Sequence, residues 1–246
     1  MDSVQLESNM KKIYFDGCSY TFGQSLELYC NQLDTFSENR MSKYVFTKND
    51  LDFITKNRYS GIVSKHIGLN GINKSVNGKS NGAILRDLIN FINNNDIKNI
   101  EYCIIQLTHF DRFFTNNFQW TPYPFTIENI IKEKKITQKQ VDYTIDNIEK
   151  IQLEYFLELE KLFVNYPNKL KIIFHSNEWE SILSKEQIQK YGVSIDSEYM
   201  IRKWAENNNM FINQQPKFKK HITSSEDTHL SIEGHTILAQ SIIKQL

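Results

Sequence analysis

Short runs of apolar, β-branched residues alternate along this chain with longer stretches in which apolar residues recur every three or four positions. The short runs predict strands at 11–16, 72–76, 101–107, 170–174 and 210–212. The longer stretches predict helices at 24–33, 58–69, 81–91, 138–164, 178–191, 196–207 and 231–245. Because strand and helix alternate throughout, we expect an α/β fold: a doubly wound parallel sheet of about five strands between two layers of helices.

Residues 110–136 interrupt this alternation with a long segment that is rich in aromatic side chains and contains the sequence Thr121-Pro-Tyr-Pro124. Connections of this length in a compact domain are often functional. A lid or binding wall, and an insertion that packs a small cluster of its own, are both consistent with this pattern. No Gly/Ser/Pro-rich linker divides the chain, so we interpret 1–246 as a single domain with 110–136 as an insertion or lid.

Composition narrows the class of protein. Among 246 residues, 29 Lys and Arg balance 29 Asp and Glu, which gives no overall electrostatic support for nucleic-acid binding. No run of about 18 apolar residues predicts a membrane span, and the first residues do not resemble a secretory signal. The three cysteines, Cys18, Cys30 and Cys103, match neither a disulfide framework nor a zinc site. A cytoplasmic protein without a metal or cofactor fits best.

The first strand ends in a turn of small residues that carries a serine. Gly17, Cys18 and Ser19 follow the apolar run directly, and Gly23 closes the segment. The hydroxyl of Ser19 would therefore lie at the carboxyl end of a strand and just before a helix, where open α/β sheets bind their ligands. A helix-capping serine would show the same local pattern, so the remainder of the chain has to supply partners for a nucleophile.

Those partners are found near the C-terminus, where Glu226, Asp227 and His229 precede the last predicted helix. A histidine that acts as a base needs a carboxylate on its other ring nitrogen, and either acid could provide it. In a doubly wound sheet, the loops that follow the first and last strands open on the same edge. We therefore expect Ser19 and His229 to approach each other.

Attack by a serine also requires hydrogen-bond donors for the oxyanion that forms. Gly78, at the end of the second predicted strand, can bring its N–H close to a ligand because it has no Cβ. The N–H of Ser19 and a side chain at the end of the third strand would complete the oxyanion hole.

Four sequence blocks in this order resemble the SGNH (GDSL-like) hydrolase superfamily. They are Gly17-Cys18-Ser19, the segment from Asn73 through Gly78 to Asn81, the end of the third strand, and Asp227 with His229. The first block is most similar to the intracellular branch that reads Gly-Cys-Ser-Phe/Tyr-Thr-x-Gly. The resemblance implies a flavodoxin-like sheet and a serine esterase, deacetylase or acyltransferase. It also implies Ser19 as nucleophile, His229 as base, Asp227 as the acid that orients it, and Gly78 as an oxyanion donor.

Two positions depart from the pattern of that family. Its third block usually offers Gly-x-Asn-Asp, whereas this chain has Gln106-Leu107-Thr108-His109, so Thr108 is the expected replacement for the oxyanion asparagine. Its acid usually lies three residues before the histidine, where this chain has Glu226. We predict Asp227 as the acid and keep Glu226 as the alternative.

Further polar residues lie near the predicted strand ends, and we regard them as candidate substrate contacts. They are Asn81, His109, Arg112 and His175. Asp227, His229 and His235 do not match the spacing of a zinc motif, so no metal site is predicted.

The sequence thus predicts a serine-dependent hydrolase or acyltransferase that acts on oxygen esters, with O-acetyl groups of a carbohydrate as the expected target. Its substrate would be a small-molecule or polysaccharide ester. The alternative is a catalytically weak or inactive protein of the same fold that binds a glycan or a partner protein, since the usual oxyanion asparagine is replaced.

Overall fold

A computed structural model describes residues 11–24, 26–29, 47–95, 97–115, 118–122, 124–133, 135–216 and 228–246. The strands in this part of the chain are β1 (Lys12–Asp16), β2 (Asn70–Asn73), β3 (Ile100–Leu107), β4 (Phe113–Thr115), β5 (Phe118–Trp120) and β6 (Leu170–Phe174). Four of them form a parallel sheet in the order β2-β1-β3-β6, and β4 and β5 form a separate antiparallel pair. The predicted α/β class is therefore confirmed, and the strand order corresponds to the first four positions of a flavodoxin-like sheet.

The helices follow the predicted alternation closely. They are α1 (Ser19–Phe22), α2 (Lys48–Asn57), α3 (Tyr59–Ile67), α4 (Asn81–Asn94), α5 (Pro124–Lys132), α6 (Gln138–Asp146), α7 (Ile148–Leu162), α8 (Glu178–Ile182), α9 (Lys185–Tyr191), α10 (Ile201–Asn207) and α11 (Ile232–Ile243). Short 3₁₀ turns occupy Leu26–Tyr29, Ile97–Asn99, Pro167–Lys169 and Ile212–Gln214. None of the helices in the described segments is long and apolar enough to cross a bilayer.

Side chains that alternate along each strand build a separate apolar core on each face of the sheet. Tyr14 of β1 belongs to one core, whereas its neighbours Ile13 and Phe15 belong to the other. Helices α4 and α7 contribute to the first core, and α3, α10 and α11 contribute to the second. This two-sided burial explains why the strands read as nearly continuous apolar runs.

The predicted fifth strand at 210–212 is wrong. Phe211 makes a single antiparallel bridge with Leu230, and the chain then turns into the 3₁₀ segment Ile212–Gln214. The outer edge of β6 is paired instead through isolated parallel bridges to Gly192 and Met200.

The long helix predicted over 138–164 is interrupted at Asn147, which has a non-helical backbone conformation. Its side-chain amide donates to the carbonyl of Tyr143 (2.8 Å) and thereby supports the end of α6. Local polar capping of this kind competes with helix continuation. The helix predicted over 24–33 is described only at 24 and 26–29, where a 3₁₀ turn is found.

The excursion at 110–136 contains β4, β5 and α5, and it packs an apolar cluster of its own with the start of the next helical region. The buried members of this cluster are Phe113, Trp120, Ile130, Ile136 and Val141. The first two are in contact, with ring centroids 4.7 Å apart.

His235, on α11, is fully buried against Tyr59 (ring centroids 6.1 Å apart) and accepts a hydrogen bond from its backbone N–H at Nδ1 (3.4 Å). Burial, with smaller contributions from His229 and Arg58, lowers the pKa of His235 to about 3, against an ordinary value of 6.5. The unfolded chain therefore takes up a proton at this position as pH falls below about 6.5, whereas the folded chain does not. Acid should destabilise the fold through this residue.

We expect His235 to reduce the free energy of unfolding by about 2 kcal/mol between pH 7.5 and pH 5. His235→Leu removes this titration, so the variant should lose correspondingly less stability over that interval in urea unfolding experiments. His66→Leu, at an exposed histidine on α3, should keep the wild-type pH dependence. Equal pH dependence of wild type and His235→Leu would contradict the assignment.

Candidate active site

Ser19 is the first residue of α1 and lies directly beyond the carboxyl end of β1. The turn between them depends on Gly17. A Cβ at this position would lie 2.3 Å from the hydroxyl oxygen of Thr21 and 2.7 Å from Cβ of Gln106. Glycine therefore allows the serine-bearing turn to approach β3 closely, and Ser19 itself is largely buried.

Gln106, on β3, fixes the first turn of α1. Its Oε1 accepts hydrogen bonds from the backbone N–H of Thr21 (3.1 Å) and from the Thr21 hydroxyl (2.7 Å). Its Nε2 lies 3.3 Å from Nδ1 of His175, at the end of β6. One fully buried amide thus connects the ends of three neighbouring strands.

The N-terminal turn of a helix contains N–H groups that have no acceptor within the helix. The side chain of Gln106 accepts a hydrogen bond from the N–H of Thr21. The N–H of Ser19 belongs to the first residue of the helix. The N–H of Ser19 is therefore one of the groups that the helix itself leaves without an acceptor.

Tyr20 brings the loop that carries His229 to the serine turn. This buried side chain follows Ser19 directly, and its hydroxyl donates to the carbonyl of Thr228. Its ring also lies edge-on to the imidazole of His229, with centroids 6.0 Å apart. The backbone of His229 is fixed in turn, because its carbonyl accepts from the N–H of Ile212 (2.8 Å).

Gly78 lies in an exposed turn after β2, with a backbone φ of 72° that favours glycine. No atom lies within 4 Å of the position that a Cβ would occupy, so this side of the turn is open.

Thr108 follows β3 and is fully buried. Its hydroxyl accepts from Nη1 of Arg112 (3.0 Å), which leaves the hydroxyl hydrogen available as a donor. Asn81 holds the same turn, accepting from the N–H of Thr108 (2.7 Å) and donating to its carbonyl (3.3 Å) and to Oε1 of Gln152 (2.8 Å). The amide of Asn81 is thus occupied with protein partners that position Thr108.

A buried ion pair joins the serine turn to the Gly78 turn. Lys79 is 2% exposed and Asp16 is 0% exposed, and Nζ of the lysine lies 2.6 and 2.7 Å from the two carboxylate oxygens. Asp16 also accepts from the Tyr14 hydroxyl (2.8 Å) and from the N–H of Gly17 (2.7 Å). Lys79 lies 2.7 Å from a second carboxylate, that of Asp87 on α4.

The electrostatic environments of these two acids differ. Burial is the largest influence on Asp16 and raises its pKa, while the charge and hydrogen bond of Lys79 act against it. Partial burial opposes ionisation of Asp87, but the hydrogen bonds from Lys79 and Arg86 outweigh it and lower the pKa of this carboxyl. Both carboxylates therefore depend on Lys79.

A second polar cluster lies beside Tyr20, at the ends of β3 and β6. The ring of His175 contacts Tyr20 and His109, at centroid distances of 4.7 and 4.2 Å. Nδ1 of His109 lies 3.4 Å from Oε2 of Glu178, and its Nε2 lies 3.4 Å from Nη1 of Arg202. Burial holds the pKa of His175 well below its usual range, so this imidazole is neutral.

The structure thus gathers most of the predicted site residues at one edge of the sheet. Ser19, Thr108, His109 and His175 lie at or just beyond the ends of β1, β3 and β6, and His229 reaches them through Tyr20. Asp227 and Glu226 lie outside the described residues. Within the described ranges, no three His, Cys, Asp or Glu side chains converge as the ligands of a metal ion would.

Sequence reasoning missed the residues that hold this arrangement together. Asp16 could have been identified from the sequence, because a charged residue at the end of an apolar strand requires a buried partner. Lys79 could have been suspected only because it follows Gly78 in the sequence. Gln106 and Arg202 lie in stretches that otherwise read as an ordinary strand and helix, so only the folded chain identifies them.

No protein-family model matches this chain, and a search of curated proteins found no similar sequence. Similar solved structures include LAE5, an α/β hydrolase enzyme from the metagenome of Lake Arreo, Spain, with 11% identity and a TM-score of 0.38 over 96% of this chain and 94% of that one. A member of the lipolytic G-D-S-L family from Veillonella parvula DSM 2008 shows 10% identity, coverages of 96% and 97%, and a TM-score of 0.37.

Axe2, an acetylxylan esterase from Geobacillus stearothermophilus, was matched in a catalytic mutant form with 17% identity, coverages of 96% and 93%, and a TM-score of 0.34. Similarities of this size do not establish a shared activity.

We expect Lys79→Met to reduce the free energy of unfolding by about 3–5 kcal/mol, because it leaves Asp16 buried without its counter-charge. Adding Asp16→Asn should restore part of this loss, since the double variant contains no unpaired charge at that position. Chemical denaturation measures both effects.

Lys190→Met is the matched control for this experiment. The side chain of Lys190 is 52% exposed and pairs with Glu160 (3.3 Å), so its replacement should change the free energy of unfolding very little. A Lys79→Met variant as stable as Lys190→Met would show that the buried pair does not stabilise the fold.

Proposed function

We propose that this protein is a serine-dependent hydrolase or acyltransferase that acts on oxygen esters, with Ser19 as nucleophile and His229 as general base. The main observation that supports this proposal is the contact of Tyr20 with the His229 loop. The hydroxyl of Tyr20, the residue after Ser19, donates to the carbonyl of Thr228, and its ring contacts that of His229. The loop that carries the proposed base is thereby held beside the turn that carries the proposed nucleophile.

In the first half-reaction, Oγ of Ser19 attacks the acyl carbon while His229 accepts the hydroxyl proton. The negative charge that develops on the carbonyl oxygen is stabilised by the N–H of Ser19, with Gly78 and Thr108 as further donors. When the tetrahedral intermediate collapses, the bond to the alcohol oxygen breaks, and His229 returns its proton to that oxygen. Ser19 is left as an acyl ester.

In the second half-reaction, His229 takes a proton from the acceptor hydroxyl, and the acceptor oxygen attacks the acyl carbon. Water as acceptor gives a carboxylic acid, and a sugar hydroxyl gives a new ester. In either case the proton returns to Oγ of Ser19, and the enzyme is regenerated.

The carbohydrate assignment rests on the sequence resemblance to intracellular members of the SGNH superfamily. Aromatic and Asn-rich loops, which suit sugar stacking and hydrogen bonding, support it. Within this proposal the substrate is an O-acetylated carbohydrate. A panel of acetylated mono- and oligosaccharides, with product analysis in the presence and absence of a sugar acceptor, would identify the substrate and separate hydrolysis from transfer.

We expect Ser19→Ala to lower the rate of aryl acetate hydrolysis at least about a thousandfold, because the covalent pathway is lost. A fluorophosphonate probe should label the wild-type protein but not Ser19→Ala. Ser241→Ala, on α11, is the matched control and should retain both activity and labelling. A folded Ser19→Ala protein with full activity would rule out the mechanism, and a wild-type protein that neither hydrolyses esters nor labels would favour the binding-protein alternative.

We expect Asp227→Asn to lower kcat by about a hundredfold or more, because an amide cannot stabilise the protonated form of His229 as a carboxylate does. Glu226→Gln provides the comparison and should change kcat by less than about tenfold. The reverse order of effects would assign the orienting role to Glu226.

A further inference from the structure

Two arginines from different elements donate hydrogen bonds to consecutive residues just beyond the end of β3. Arg112 lies in the loop after β3, where its Nη1 donates to the hydroxyl of Thr108 (3.0 Å). Arg202 is on α10, where its backbone N–H donates to the carbonyl of His175 (3.1 Å) and its Nη1 to Nε2 of His109 (3.4 Å). Thr108 and His109 are consecutive residues, so the two guanidinium groups are bound side by side just beyond the end of β3.

Neither guanidinium forms a salt bridge with a carboxylate of the described residues. The nearby acid, Glu178, is occupied elsewhere: it accepts from Ser176 Oγ (2.7 Å) and the N–H of Phe110 (3.3 Å), and it lies 3.4 Å from Nδ1 of His109. Each arginine side chain has five N–H donors. The hydrogen bonds to Thr108 and His109 use one donor of each arginine.

Both arginines also lower the pKa of the buried His175. Burial is the main cause of its low pKa, and the charges of His109, Arg112, Arg202 and His229 act in the same direction. A neutral His175 adds no third positive charge, yet two half-buried guanidinium groups near one imidazole still repel each other. An anion placed between them would remove this repulsion and could accept bidentate hydrogen bonds from each planar fork.

This arginine pair lies close to the proposed nucleophile. The ring of His175 contacts Tyr20 at a centroid distance of 4.7 Å, and Tyr20 follows Ser19 in α1. A substrate that extends from Ser19 along Tyr20 and His175 would therefore reach the arginine pair.

We propose that Arg112 and Arg202 together bind an oxyanion group of the substrate, a carboxylate, sulfate or phosphate, so that the preferred ester is an anionic one. This inference rests on the proposed ester chemistry at Ser19 and names the class of its substrate.

Three aryl acetates with the same acyl group test the inference: 4-acetoxybenzoate and 4-acetoxybenzenesulfonate, which are anionic, and 4-acetoxybenzamide, which is neutral. The measured quantity is the ratio of kcat/KM for each anionic ester to that for the neutral one. We expect Arg112→Met and Arg202→Met each to lower this ratio by about 10- to 100-fold, mainly through KM, because each removes charge-assisted hydrogen bonds. Comparison of kcat/KM for the benzoate and sulfonate esters shows whether a carboxylate or a sulfonate is preferred.

Lys203→Met is the matched control. Lys203 is the neighbour of Arg202 on α10, but its Nζ is directed to Glu198 (2.8 Å) and its side chain is 47% exposed. The variant removes one positive charge from the same helix without touching the arginine pair, so the ratio should remain at the wild-type value. An unchanged ratio in both arginine variants, with ester hydrolysis intact, would overturn the anion site and leave the proposed function standing.

If no ester is hydrolysed, the proposed function fails, and the anion site is decided by binding alone. Calorimetry of the wild-type protein with the amide analogues 4-acetamidobenzoate and 4-acetamidobenzamide requires no chemistry. Tighter binding of the carboxylate, lost in Arg112→Met and Arg202→Met but kept in Lys203→Met, would support the site. Equal binding of the two amides, or binding of neither, would refute it.

Discussion

The ammonium group of Lys79 is the constraint on which the geometry of the site depends. It is withdrawn from water between the carboxylates of Asp16 and Asp87, at distances of 2.6 to 2.7 Å. A buried charge is tolerated only where partners compensate it. The turn after β1, the turn after β2 and the middle of α4 are therefore held together, and this is the region that carries Ser19 and Gly78.

Parallel topology supplies the rest of the arrangement. The loops after β1, β3 and β6 lie at the same edge of the sheet. Hydrogen bonds between their side chains and backbones then fix how these loops are positioned relative to one another. Gln106 connects α1 to His175, Asn81 fixes the backbone of Thr108, and Tyr20 holds the loop of His229. Each of these side chains is buried, so the edge is organised by satisfied hydrogen bonds rather than by apolar contacts alone.

The two polar clusters around Ser19 differ in their charge balance. At Lys79 the ammonium group and Arg86 are paired with the carboxylates of Asp16 and Asp87, whereas near His175 the two guanidinium groups donate to a hydroxyl and an imidazole. The first cluster is closed and structural. In the second, both arginines are half-buried, and this is where we propose that an anionic group binds.

The sequence alone determined the α/β class, four of the strands and most helices, because apolar periodicity is a local property that survives without knowledge of tertiary contacts. It also singled out Ser19, Gly78 and His229, since small residues and a histidine at strand ends have local signatures. Only the tertiary structure showed that 210–212 is not a strand, that Asn147 divides a helix, and that Lys79 is buried on Asp16. Those outcomes depend on which side chains meet across the sheet edge, and partners as remote as Arg202 and His109 leave no periodic signal along the chain.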